Sequence, residues 1–105
     1  MTDTGKARLE TQLAELESRL SRIERDLDEP HDPDSSERAV QMEDDESLEA
    51  QARLVTREIA STRRALDRID SGEYGICVEC GEEISAERLE ARPEAALCIA
   101  CARKV

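Results

Sequence analysis

Two apolar seams of helical period, separated by prolines, set the first limit on this chain. Leu9, Leu13, Leu16, Leu20, Ile23 and Leu27 follow one another at spacings of 4, 3, 4, 3 and 4, the rhythm of helices that pack side by side. Leu48, Ala52, Val55, Ile59, Thr62, Leu66 and Ile69 repeat that rhythm, with Thr62 the one weak member. Between the seams lies Asp28-Glu29-Pro30, with Pro33 close behind. Proline lacks the N–H and disfavours helix in the residue before it, so the first helix should stop near Asp28. Ser71-Gly72 supplies a stop for the second. Seams joined by so short a turn fold back on each other. The expectation is a mainly α chain, an antiparallel two-helix coiled-coil hairpin about 40 Å long over residues 1–72, followed by a small module over residues 73–105.

Composition agrees with a thin core. The chain has no Phe, no Trp and a single tyrosine, Tyr74, while 39% of its residues are charged. Large aromatics supply much of a globular core, and periodic apolar residues in so charged a chain favour long helices. No run of about 18 apolar residues exists, so no membrane span is expected. The first residues, MTDTGKARLE, hold no apolar stretch of the kind found in secretion signals, and a cytoplasmic location is expected.

The charge is unevenly placed. Residues 29–49, EPHDPDSSERAVQMEDDESLE, carry nine acids and one base, a formal −8 in a chain of −11. Extended backwards, the second seam falls on Asp45, Gln41 and Arg38, so apolar packing fades toward the acidic turn near 29–47. Repulsion there works against folding and is little offset by packing, which points to a use for the charge. Helix capping explains part of it. Asp34 is a good N-cap, and Asp34-x-x-Glu37 has the spacing of a capping box, with acids favoured in a first turn by the helix dipole. Capping does not reach Glu43 to Glu46, which a solvated face could explain. His31 reads as loop decoration. Nucleic acid is a poor partner for this chain, since phosphate binding needs clustered Lys and Arg. Arg53, Arg57, Arg63, Arg64 and Arg68 make the second helix basic in its later half, through i,i+4 pairing and solvation or through contact with an acidic protein surface. Tyr74, between the two segments, is placed to pack one against the other.

The last third carries the chemistry. Cys77-x2-Cys80, seventeen intervening residues and Cys98-x2-Cys101 match the spacing of a four-cysteine zinc site. Each pair offers two thiolates to one ion from a tight turn, and two pairs close a tetrahedral site. Zinc is the default metal, with iron the competitor for four thiolates. The site is structural: four protein ligands leave no open position for water or substrate, so no enzymatic role is expected. A structural zinc contributes roughly 10–16 kcal/mol in small peptides, enough to organise some thirty residues with few large side chains. Disulfides would require an oxidising compartment, and a dithiol redox centre needs only one pair.

These features together resemble the DksA/TraR family of bacterial transcription factors. The resemblance is most specific in CGEEISAERLEARPEAALCIAC, which has the pattern C-G-x-E-I-x-x-x-R-L-E-A-R-P-x-A-x-L-C-I-x-C. It extends back through Gly75 and the second helix to the turn, whereas residues 1–27 match as a generic heptad helix. The resemblance implies a regulator that binds RNA polymerase rather than DNA, and a monomer is expected. Its coiled coil would enter the secondary channel and its tip would approach the catalytic magnesium and trigger loop, shifting transcription initiation. Carboxylates suit that place, as ligands to magnesium and partners to basic loops. The family's tip motif, Asp-x-x-Asp-x-Ala, is filled here by Asp34, Glu37 and Ala39, so Glu37 keeps the charge and adds a methylene. Longer members also hold guanosine tetraphosphate through basic residues near the finger. Arg92 matches one of these, but Ser61 and Ala102 stand where lysines are expected, which argues against a nucleotide response. The helix that usually follows the finger is nearly absent, as in a short member or a paralogue. Two other readings compete: a zinc-stapled coiled-coil adaptor for a different protein, and a factor whose tip promotes transcript cleavage. A zinc or redox sensor acting through Cys77, Cys80, Cys98 and Cys101 could coexist with the polymerase-binding reading.

Overall fold

The computed structural model describes residues 2–28 and 35–104, with side chains described for 5–28 and 46–104. Four helices follow in chain order: α1 (Thr2–Asp28), α2 (Ser35–Ser71), α3 (Ala86–Ala91) and α4 (Ile99–Ala102). The fold is mainly helical, and among the described residues there is no strand beyond an isolated antiparallel bridge between Ile76 and Glu83. α1 and α2 are the two long helices expected from the seams, and they pack together.

α1 is rich in Leu, Glu and Arg, all strong helix formers. It ends at Asp28, before the Glu29-Pro30 step, with Arg25 complementing the dipole in its last turn. α2 ends in a Schellman motif built on Gly72. That residue has φ +78, and the bonds Gly72 N–H to Ile69 O (3.2 Å) and Glu73 N–H to Arg68 O (2.8 Å) satisfy two of the carbonyls a helix end leaves open. A β-carbon would make that conformation costly.

The chain divides into two compact units, Met1–Ala14 with Ala60–Val105, and Glu15–Ile59. In the second unit the buried residues are Leu16 and Ile23 of α1 and Val55 and Ile59 of α2, each one a member of a heptad seam. Full burial of such side chains is worth about 1.5–3 kcal/mol apiece. In the first unit Leu9, Thr62 and Ala65 are buried. Ala65 lies outside the seam read from the sequence: the buried face of α2 is wider in the unit that also holds the cysteine module. Thr62, the weak seam member, is fully buried and accepts a hydrogen bond from Gln12 Nε2 at 3.0 Å. Leu54 is 48% exposed. No helix among the described residues is long and apolar enough to cross a membrane.

Candidate metal centre

The four cysteines are delivered by two tight local structures. Cys77 and Cys80 sit on a turn in which Gly81 N–H donates to Cys77 O at 3.0 Å and Cys77 N–H to Glu82 O at 2.8 Å. Gly81, with φ +78, allows the chain to turn back there. Cys98 is the N-cap of α4 in extended conformation, and Cys101 lies in that helix. Ala102 N–H to Cys98 O (2.9 Å) closes the second turn, and Val78 N–H to Ala96 O (2.9 Å) ties the two together. Between them α3 is capped by Ser85, whose Oγ accepts from Arg88 N–H at 3.2 Å. Arg88 Nε–H in turn donates to Leu97 O at 2.8 Å. Cys77, Ile84 and Cys101 are buried together, with Leu89, Leu97 and Cys98 packed against them.

All four Sγ atoms lie within 4.8 Å of one another, and Cys80 Sγ is 3.7 Å from Cys98 Sγ. A tetrahedron with metal–sulfur bonds of about 2.3 Å has sulfur–sulfur edges of about 3.8 Å, so the cluster is already near the size a zinc ion requires. The surroundings favour charge on one sulfur. Backbone N–H groups of Cys80 and Cys98 point at Cys77, outweigh its burial and bring its thiol down to about 6. Cys101 is pushed up to about 12, first by its hydrogen bond to Cys98 and then by burial. At Cys80 the N–H of Glu82 favours the thiolate, but the neighbouring thiols and burial leave it raised. Four thiols in so small a volume cannot all ionise unaided, and a dication among them supplies the missing positive charge.

A belt of side chains fastens the module to the ends of the long helices within the first unit. Arg8 of α1 donates to Glu90 O. Gln12 Nε2 donates to Glu94 Oε2 at 3.2 Å as well as to Thr62. Arg68 reaches Glu94 O (3.3 Å) and Ala95 O (3.4 Å), and Tyr74 O–H donates to Pro93 O at 2.9 Å. Tyr74 also covers Gly5, where a β-carbon would come within 3.4 Å of the ring. Burial raises the Tyr74 pKa and lowers that of Arg68. Of these residues only Tyr74 could be read as a packing residue from sequence. Arg8 and Arg68 act on main-chain carbonyls far away in the chain and Gln12 on the Thr62 hydroxyl and the Glu94 carboxylate, and no local motif marks these contacts.

Arg92 is the exposed C-cap of α3. With Ser85, Glu87, Arg88, Ala91 and Ile99 it lines an open groove of about 420 Å³, which neither Ser61 nor Ala102 lines. The tip residues are placed less far: Asp34 lies outside the described residues, Glu37 and Ala39 fall in the first turns of α2, and their side chains lie outside the description too.

Residues 6–69 match the family described as DnaK suppressor protein-like, N-terminal domain, and residues 72–105 the prokaryotic dksA/traR C4-type zinc finger. The four cysteines are accordingly the ligands of one structural zinc ion. Among curated proteins the chain is similar to the RNA polymerase-binding transcription factor DksA of Haemophilus influenzae, 46% identical over 70 residues, covering 66% of this chain and 48% of that protein. The protein of the same name from Escherichia coli is 43% identical over 70 residues, covering 66% and 46%. The chain thus spans about half the length of these relatives. Among solved structures, transcription factor DksA2 from Pseudomonas aeruginosa has a TM-score of 0.85 at 30% identity, covering 98% of this chain and 81% of that one. The DnaK suppressor protein from Agrobacterium tumefaciens has a TM-score of 0.70 at 36% identity, covering 100% and 94%.

Proposed function

As this chain belongs to the DksA family with the dksA/traR C4-type zinc finger, we propose that it is a transcription regulator that binds RNA polymerase in the cytoplasm. Its hairpin, residues 1–72, enters the secondary channel, and its zinc finger, residues 73–105, forms the mounting. The observation that carries this reading is the pairing of a closed four-thiolate site with two long packed helices in one short chain that matches the family over 6–69 and 72–105. The names of its relatives, RNA polymerase-binding transcription factor, supply the partner.

The working end is the acidic turn. Asp34 and Glu37 are the groups aimed at the active centre of the polymerase, where carboxylates can act on magnesium or on basic loop residues, and Ala39 completes the motif. The reading is non-enzymatic: the thiolate site has no free position and the tip alters the polymerase rather than a substrate of its own. A chain of net charge −11 acts as a monomer through the polymerase and makes no direct contact with DNA. Arg92, on the rim of the groove beside α3, is available for a contact with polymerase; a response to guanosine tetraphosphate is not part of the reading.

The test is the lifetime of promoter open complexes with purified protein. Wild type changes that lifetime, while Asp34→Asn with Glu37→Gln still binds polymerase and leaves the lifetime as it is without the factor. Normal regulation by the double variant would contradict the role of the tip, and failure of wild type to bind polymerase would contradict the reading as a whole.

A further inference from the structure

The leucine seam of α1 does not by itself define how the helix is aligned on α2. Leu9, Leu16 and Ile23 occupy one heptad position and Leu13, Leu20 and Leu27 the other, so a shift of α1 by one heptad presents nearly the same apolar edge. Coiled coils of this kind depend on polar or charged residues to choose among registers. In the first unit two such residues are in place. Arg8 and Gln12 stand one helical turn apart on α1, and both turn toward the segment between the cysteine pairs, Arg8 to Glu90 O and Gln12 to Glu94. Gln12 also donates to the hydroxyl of Thr62, the one polar seam position of α2, which is 0% exposed.

The next heptad of α1 puts an acid in place of the Arg8 cation. A shift that brought Leu16 to the place of Leu9 would bring Glu15 to that of Arg8 and Arg19 to that of Gln12. A carboxylate would then face the Glu90 carbonyl, acceptor against acceptor, which loses a hydrogen bond and leaves an acceptor without a donor. In the other direction Gly5 replaces Gln12, and Thr2 replaces Leu9 in a fully buried place.

We propose that Arg8 and Gln12 are a register key: read by the Glu90–Glu94 segment and by Thr62, they select one heptad alignment of α1 on α2. They are specificity-determining residues for the hairpin, distinct from the tip and from the metal ligands, and the zinc-folded loop is the template against which the alignment is chosen. The claim concerns the free protein and does not depend on polymerase binding.

Spin labels carried by noncanonical keto amino acids at Glu10 and Arg64, both exposed, leave the cysteines to the zinc and report the alignment as an electron–electron distance. The labelled parent should show one distance. In Arg8→Met with Gln12→Leu, which keeps side-chain volume and removes the donors, a second population should appear, from an axial shift of about 10 Å, seven residues at 1.5 Å each. Helicity and one zinc per chain should be retained. Arg8→Lys, which keeps a donor, should restore a single distance beside wild-type Gln12. A single unshifted distance in the double variant would overturn the proposal. So would loss of helicity and zinc in that variant, since the two residues would then hold the fold and not its register.

Discussion

At the scale of the residue, polar groups at the junction of helix and finger carry more of the account than the sequence discloses. Tyr74 is the only tyrosine in the chain, and its hydroxyl is held by Pro93 O in a partly buried place. Burial raises its pKa above the usual value near 10, against the opposing pull of Arg8 and Arg68. An acid whose folded pKa is raised gives stability that is complete below the unfolded pKa and is lost as pH rises through the folded one. Tyr74 phenolate absorbance near 295 nm should therefore titrate above the midpoint of free tyrosinamide, with unfolding by urea becoming easier over the same alkaline range. A midpoint at or below that of the free amide would contradict the burial of the ring. Tyr74→Phe should cost about 0.5–1.5 kcal/mol, measured at neutral pH. The expectation that Tyr74 packs between segments came from its position alone. Its partner Pro93, and the parts played by Gln12, Arg8 and Arg68, depend on residues 19 to 82 positions apart, a distance over which no periodicity speaks.

At the scale of the element, the long helices and the cysteine turns were legible because each is specified locally. Heptad spacing, the Asp28-Glu29-Pro30 step and Ser71-Gly72 gave α1 its end at Asp28 and α2 its end at Ser71, and the Cys-x2-Cys pairs gave the thiolate cluster. Ala65 was not legible: seam arithmetic passes from Thr62 to Leu66, and only packing in the unit that contains the finger buries the neighbouring position. Burial divides the leucines in a way that can be measured. Leu16, 6% exposed, should cost about 2–5 kcal/mol when replaced by alanine, while Leu54→Ala, at 48% exposure, should stay within about 0.5 kcal/mol. Equal losses in urea unfolding would mean that the seam of α1 is not the core of the hairpin.

At the scale of the whole molecule, the proposed function sets two separate demands on the chain, a zinc-folded module and an acidic turn that acts on the polymerase. Cys77→Ser or Cys101→Ser should abolish the stoichiometry of one zinc per chain and unfold residues 73–104, seen as loss of amide protection there. Acid should do the same to the wild type, because thiolates must shed the metal as they take up protons. A cysteine variant that kept its zinc would remove the four-thiolate site from the account. The central claim concerns the proposed tip: that the acidic turn lies inside the secondary channel of RNA polymerase. A photo-crosslinking amino acid at Ser36, within the tip and outside its motif, tests this directly in the complex with polymerase. Crosslinks to channel and active-centre segments, lost in competition with another secondary-channel factor, are the predicted result; crosslinks confined to the outer surface of the enzyme would contradict it.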